Sequence, residues 1–173
     1  MIRLLTLLLV PVICACQSYE GALLDGADLS NQVLSRENFD GASLRGADLS
    51  NTNLAYASLI RADLTKAKLT SLMAWQANFN RAKLAGCDLA GANLSSSNLS
   101  GCDLTGANLL SANLRSVNLS NAVLDGANLT RADLRFARGL DLASVKGTNF
   151  EGAKMPEDDD DAKKPKKRAK EEG

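Results

Sequence analysis
From Leu24 to Leu134 a large apolar residue returns at every fifth position, and 22 of these 23 places hold Leu or Phe. Two places earlier the residue is usually alanine, as at Ala27, Ala47, Ala62, Ala92 and Ala127. The place between is most often Asp or Asn, as at Asp28, Asp48, Asn53, Asp63 and Asn93. The unit is A-(D/N)-L-x-x. A period of five fits neither a helix, which repeats near 3.6 residues, nor a strand, which repeats near 2. Two apolar residues around one polar residue read as a very short extended piece, with both apolar side chains inward and the polar one outward. Gly, Ser, Asn and Thr in the last two places predict a turn, and the outward Asp or Asn can bond the local backbone there. No such unit buries its apolar side alone, so units must wind and stack.

The stretches "GADLSNTNLAYASLIRADLTKAKL" and "GANLLSANLRSVNLSNAVLDGANLTRADL" resemble the pentapeptide-repeat family closely, and the resemblance extends over residues 21–155. It implies an all-β solenoid, a right-handed quadrilateral parallel β-helix with four pentapeptides per coil. Residues twenty apart then stack at the strand spacing of about 4.8 Å, and six to seven coils give a rod of roughly 30 Å. Leu94, Leu99 and Leu104 are expected in the core at mid-stack. After Leu134 the next large apolar residue comes six places on, at Leu140, and the rhythm resumes through Val145, Phe150 and Met155. "RFARGLDLA" is therefore expected to hold a one-residue bulge. Gln32 and Glu37 fall at small inward places near the N-terminal end, where terminal repeats are commonly atypical.

One stretch, "TSLMAWQANF" at residues 70–79, departs from the pattern. Leu72 takes the small inward place and Ala74 the large one. The exchange keeps the inward volume, and cores tolerate such swaps for under about 1.5 kcal/mol. The coil is expected to continue without a loop, leaving Met73 and Trp75 outside. The twenty-residue stacking sets Ala55 beneath Trp75, Tyr56 beneath Gln76, and Val33 two coils below Met73. Tyr56, Met73 and Trp75 form a candidate interaction patch, because exposed apolar patches mark contacts. The alternative is that Trp75 simply packs on its neighbours.

The ends differ in character. "MIRLLTLLLVPVICACQSYEG" has an early Arg3, then an apolar run too short to span a bilayer comfortably; it has the shape of a secretory signal. "ICAC" resembles the lipobox of bacterial lipoproteins, with Ile13 at the aliphatic place, Ala15 at the small one and Cys16 as the lipid bearer. Cys14, at the middle place, departs from the usual residue, and a plain signal peptide or an uncleaved anchor is the alternative. The division expected is a signal peptide over 1–15, a short lipid-anchored tether over 16–20, the β-helix over 21–155 and a charged tail over 156–173. The tail, "PEDDDDAKKPKKRAKEEG", has almost no apolar residue and is expected to be disordered. The lipoprotein resemblance also implies sorting: Gln17 follows the lipid site, where an aspartate would favour inner-membrane retention, so the outer membrane is expected.

Charge and chemistry narrow the function. Some relatives act as acidic DNA mimics that bind a type II topoisomerase. Residues 20–155 hold 13 acidic and 13 basic side chains, so the potential of a DNA mimic is not expected here. The chain has no histidine, the commonest general base and metal ligand. It shows no phosphate loop and no zinc-spaced cysteines. Asp28, Asp48 and Asp88 share one outward column, but Lys68 interrupts it. No catalytic residue, metal ligand or cofactor is assigned. Cys87 and Cys102 take small inward places and suit a core as free thiols, although a disulfide is conceivable in an oxidising compartment. The expected protein is not an enzyme but a lipid-anchored interaction scaffold of the bacterial cell envelope. It sits on the outer-membrane or periplasmic side and binds an unidentified envelope protein and no nucleic acid. A structural spacer with no specific ligand is the alternative, with the topoisomerase-binding mimic behind it.

Overall fold
The computed structural model describes residues 18–156. The expected signal peptide, the candidate lipidation residue Cys16 and the expected tail beyond Pro156 lie outside the described residues. From Ser18 to Asn118 the outward residue of each pentapeptide bridges in parallel to the residue twenty places on: Ser18 to Asn38, Leu23 to Ser43, Asp28 to Asp48, Val33 to Asn53, and so upward. Four pentapeptides thus close one coil, and four lateral faces result. The first carries Asn38, Ser58 and Asn78, the second Ser43, Asp63 and Lys83, the third Asp48, Lys68 and Asp88, and the fourth Asn53, Met73 and Asn93. No bridge lengthens into a strand, because each extended piece ends in a turn before a second residue can pair.

The backbone hydrogen bonds explain why five residues suffice, as residues 46–50 show. Gly46 N–H donates to Thr65 O at 3.0 Å and Leu49 N–H to Lys68 O at 2.8 Å, both on the following coil. Asp48 N–H donates to Ala27 O at 2.9 Å on the preceding coil. Ala47 N–H closes the turn onto Leu44 O at 3.1 Å. Ser50 N–H donates to Asp48 Oδ1 at 3.0 Å. Every amide of the unit has an acceptor, which a buried backbone requires. The last bond accounts for the Asp/Asn preference at the outward place.

Each turn places its second corner residue at positive φ, as a type II turn demands. This holds at all twenty-four such places from residue 21 to residue 136, and fifteen of them are not glycine. Arg61, Lys66, Tyr56, Gln76 and Phe136 sit there at φ 57, 59, 61, 56 and 62. A side chain in this conformation costs roughly 1–2 kcal/mol, which the surrounding ladder must offset.

Inside, the large residues stack by column. Phe39, Leu59, Phe79, Leu99 and Leu119 fill the column behind the first face and are buried, as are Leu94 and Leu104 in the neighbouring columns. Leu72 and Ala74 are both fully buried, and the bridges Asn53–Met73–Asn93 continue through them. The exchanged pair is accommodated without a loop.

The N-terminal coil is less closed. Tyr19, Ala22, Leu24, Ala27 and Leu34 are only partly buried, and Gln32 is exposed. Glu37 keeps Oε2 buried with no hydrogen-bond partner, and its charge adds to burial in raising the Tyr19 pKa.

The bulge lies at Gly139. Asn118 bridges Arg138 twenty places on, whereas Val123 bridges Ser144, Asn128 bridges Asn149 and Asp133 bridges Lys154, each twenty-one places on. The extra residue is taken up by a short 3-10 turn over Leu140–Leu142, entered through Gly139 at φ 73. A Cβ on Gly139 would lie 2.6 Å from both Cα and N of Ser120, so the site admits no side chain.

Candidate functional site
The patch that breaks the repeat lies along the corner between the fourth and first faces. Its turn residues are Ser35 and Arg36, then Ala55 and Tyr56, Trp75 and Gln76, Ser95 and Ser96, Arg115 and Ser116, and Arg135 and Phe136. Tyr56 and Trp75, on adjacent coils, meet edge to face, with ring centroids 4.5 Å apart and planes at 67°. The Arg36 guanidinium lies over the tyrosine ring, 5.3 Å from the Tyr56 centroid. Met73 projects from the fourth face beside them. Tyr56, Met73 and Trp75 keep 45%, 44% and 38% exposure, too much for core residues.

The local backbone shows what this arrangement forgoes. In the coils below and above, Ala55 N–H and Ser95 N–H donate to the outward asparagines Asn53 and Asn93 at 3.0 and 3.1 Å. Met73 stands in the same column and offers no acceptor, and Trp75 N–H has no partner among the described residues. Ala55, one coil from Trp75 in the same turn place, is only 3% exposed. The register alone sets Trp75 above Ala55 and Tyr56 below Gln76. The rings instead reach across the corner to each other.

Arg36 was not singled out from the sequence, although it stands twenty residues before Tyr56 in the same turn place. Further up, Arg115 lies 5.2 Å from the Phe136 centroid. Arg135 donates through Nε and Nη2 to Asp133 at 2.9 and 2.6 Å, and Arg115 approaches Asp133 at 3.5 Å. The Arg135 hydrogen bonds hold the Asp133 carboxyl below the usual carboxylate range. The corner is thus aromatic and cationic near its middle and ion-paired near its top.

Elsewhere the titratable groups serve the fold. Cys87 and Cys102 are free and buried. Their thiols donate to Leu64 O and Phe79 O, each at 2.8 Å, and burial pushes both pKa values up to about 12. In the aspartate column, hydrogen bonds from Ser30 and Ser50 lower the pKa of Asp28 and Asp48, and Lys68 sits 3.5 Å from Asp48. No cluster of three or more metal-ligating side chains occurs among the described residues.

The twenty-residue bridge period, the four faces and the Asx-capped turns define a pentapeptide solenoid. The chain matches the pentapeptide repeats family in eight copies, over residues 38–70, 76–109 and 107–138. It belongs to that family, and its fold is the family's right-handed quadrilateral β-helix. Among solved structures it is similar to QnrB1, a plasmid-mediated fluoroquinolone resistance protein. The TM-score to a trypsin-treated form of that protein is 0.64, at 17% identity over 77% of each chain, a likeness of fold alone. It is also similar to HetL, a pentapeptide repeat protein involved in heterocyst differentiation regulation from the cyanobacterium Nostoc sp. strain PCC 7120. The identity there is 25%, over 79% of this chain and 90% of that one, with a TM-score of 0.49. A pentapeptide repeat protein from the Arabidopsis thaliana thylakoid lumen is 31% identical, over 82% of this chain and 72% of that one, with a TM-score of 0.28. No curated protein matches the chain.

Proposed function
We propose that this pentapeptide-repeat protein is a non-catalytic interaction scaffold of the bacterial cell envelope, exported and lipid-anchored through Cys16. On this reading the rod stands close to a membrane on its outer-membrane or periplasmic side, since only residues 17–20 separate Cys16 from the first coil. The observation that carries the binding role is the Tyr56–Trp75 pair. It is a rigid aromatic pair left partly exposed at a corner where the repeat gives up its own turn bond. Aromatic anchors of this kind dominate protein interfaces. The partner it suits is a protein with an apolar groove. The balanced charge of the rod, 13 acidic against 13 basic side chains over residues 20–155, does not support a DNA mimic.

Two experiments test the two halves separately. Cys16→Ser should release the protein from the membrane fraction and abolish lipid labelling; an unlabelled, soluble wild type refutes the anchor. A crosslinking pull-down with the wild type and Trp75→Ala should then show a partner that depends on Trp75. The spacer reading has its own support, because Trp75 packs on Tyr56 and Ala55 is covered in its row. A wild type that captures the same proteins as Trp75→Ala would favour it.

A further inference from the structure
A second edge of the rod carries an order of charge that no ion pair within the described residues satisfies. Where the chain turns from the first face to the second, successive coils present Glu20, Asp40, Arg61 and Arg81. Glu20, Arg61 and Arg81 are exposed and Asp40 is half-buried. Glu20, Arg61 and Arg81 make no ion pair among the described residues, where the salt bridges join Lys68 to Asp48, Lys83 to Asp63, and Arg115 and Arg135 to Asp133. Asp40 uses only Oδ1, accepting from Ser58 Oγ at 2.6 Å and Ile60 N–H at 2.8 Å. Two acids followed by two bases, one coil apart, leave the edge neutral in sum but polar along its length.

Such an order is self-complementary. A two-fold axis perpendicular to the rod, placed midway between the Asp40 and Arg61 levels, turns the edge end for end. Asp40 then meets Arg61 of the second copy, Glu20 meets Arg81 of the second copy, and both pairs recur by symmetry. This reciprocity is what a two-fold interface requires. The adjoining first face permits close approach, since Ser18, Asn38, Ser58 and Asn78 are short and uncharged there. The second face, on the other side of the edge, does not: an antiparallel pairing there would gather Arg45 and Lys66 of both copies, which stand at its far corner toward the third face. We infer that this edge, with the first face, is an antiparallel docking surface for a second copy of the same chain.

The charge order takes neither the anchor nor the Trp75 contact as a premise, but the first face ends at the Tyr56–Trp75 corner, and the two N-terminal ends point opposite ways, so copies anchored in one membrane would lie along its surface. Exposed ion pairs are individually weak and screened by salt, so the four symmetry-related pairs act together, and the association is weak and salt-dependent. The test uses the full chain in a neutral detergent, followed by sedimentation velocity. The wild type should self-associate at about 50 mM salt, and the association should weaken by at least about tenfold at about 500 mM. Glu20→Arg and Arg81→Glu should each remain monomeric while melting like the wild type, because neither side chain has an ion-pair partner within its own chain. Mixed in equal amounts, the two variants should associate again, since each carboxylate at these places then faces a guanidinium. A wild type that stays monomeric at low salt overturns the inference. So do variants that associate like the wild type, and so does a mixture that fails to recover.

Discussion

Trp75 and Tyr56, nineteen residues earlier in the chain, meet edge to face with ring centroids 4.5 Å apart. An aromatic pair of this geometry contributes about 0.5–1.5 kcal/mol beyond its buried area. Trp75→Ala should therefore lower the stability of the rod by about 1 kcal/mol and leave the coil intact. If the corner binds a partner, the same change should weaken that binding by about 2 kcal/mol or more. Thermal melts and the pull-down read the two effects separately. A stability loss of several kcal/mol with no change in captured proteins would make Trp75 a packing residue.

At Gly139 one methyl group should do more harm than removing the residue. Gly139→Ala drives a Cβ to 2.6 Å from backbone atoms of Ser120, at φ 73. The last coil must shift, and the expected cost is several kcal/mol, in the range of overpacked sites and above. Deleting Gly139 restores the spacing of five between Leu134 and the leucine now at 140. It forces Leu142 into a left-handed turn place, at about 1–2 kcal/mol. Chemical denaturation of the two variants should rank the deletion as the more stable. The reverse order would mean that the bulge has a role beyond absorbing one residue.

Leu99 lies fully buried in mid-stack, between Phe79 and Leu119 in its column. Leu99→Ala should cost about 2–5 kcal/mol. Leu99→Asp should prevent folding, because the carboxylate would enter a column with no polar partner. A circular-dichroism melt of the aspartate variant that matched the wild type would show the register to be wrong.

Stability should respond to pH at the two extremes only. The chain has no histidine, so melting temperature should be nearly flat between about pH 5 and 8. Cys87 and Cys102 have folded pKa values raised to about 12. Their contribution is complete below the unfolded value of about 8.5 and is lost as pH rises above it, because only the unfolded chain then releases the protons. Asp63 and Asp133 are lowered, so their contribution holds above about pH 3.9 and is lost as pH falls below it. A Cys87→Ala/Cys102→Ala double variant should lose less stability between pH 8 and 11, approximately, than the wild type. Equal alkaline losses would place the thiols in a wetter environment than their burial indicates.

Much of the architecture was legible because the period is carried by volume. Leu and Phe at every fifth place, alanine two before, and Asp or Asn between specify which side chains go in and which bond the turn. The Leu72/Ala74 exchange and the extra residue before Leu140 could be placed by counting. The candidate site was less legible. Counting places Tyr56 near Trp75 but does not say that the rings turn toward one another, since rotamers answer to local packing and not to the period. Nor does the period foretell that Arg, Lys, Tyr, Gln and Phe would occupy left-handed turn places. There the ladder of the whole stack overrides a local preference for Gly or Asn.

The return of each column after twenty residues turns sequence distance into an angle. A pentapeptide inserted between Tyr56 and Trp75 would leave every inward side chain correctly placed, yet carry Trp75 a quarter turn around the axis, onto the next corner. A full set of four would bring it back to the same corner, about 4.8 Å higher. The rod therefore behaves as a combination dial. Its fold is indifferent to how many clicks separate two residues, and its surface pairings, Arg36 with Tyr56, Tyr56 with Trp75, Lys68 with Asp48, hold only at the right number.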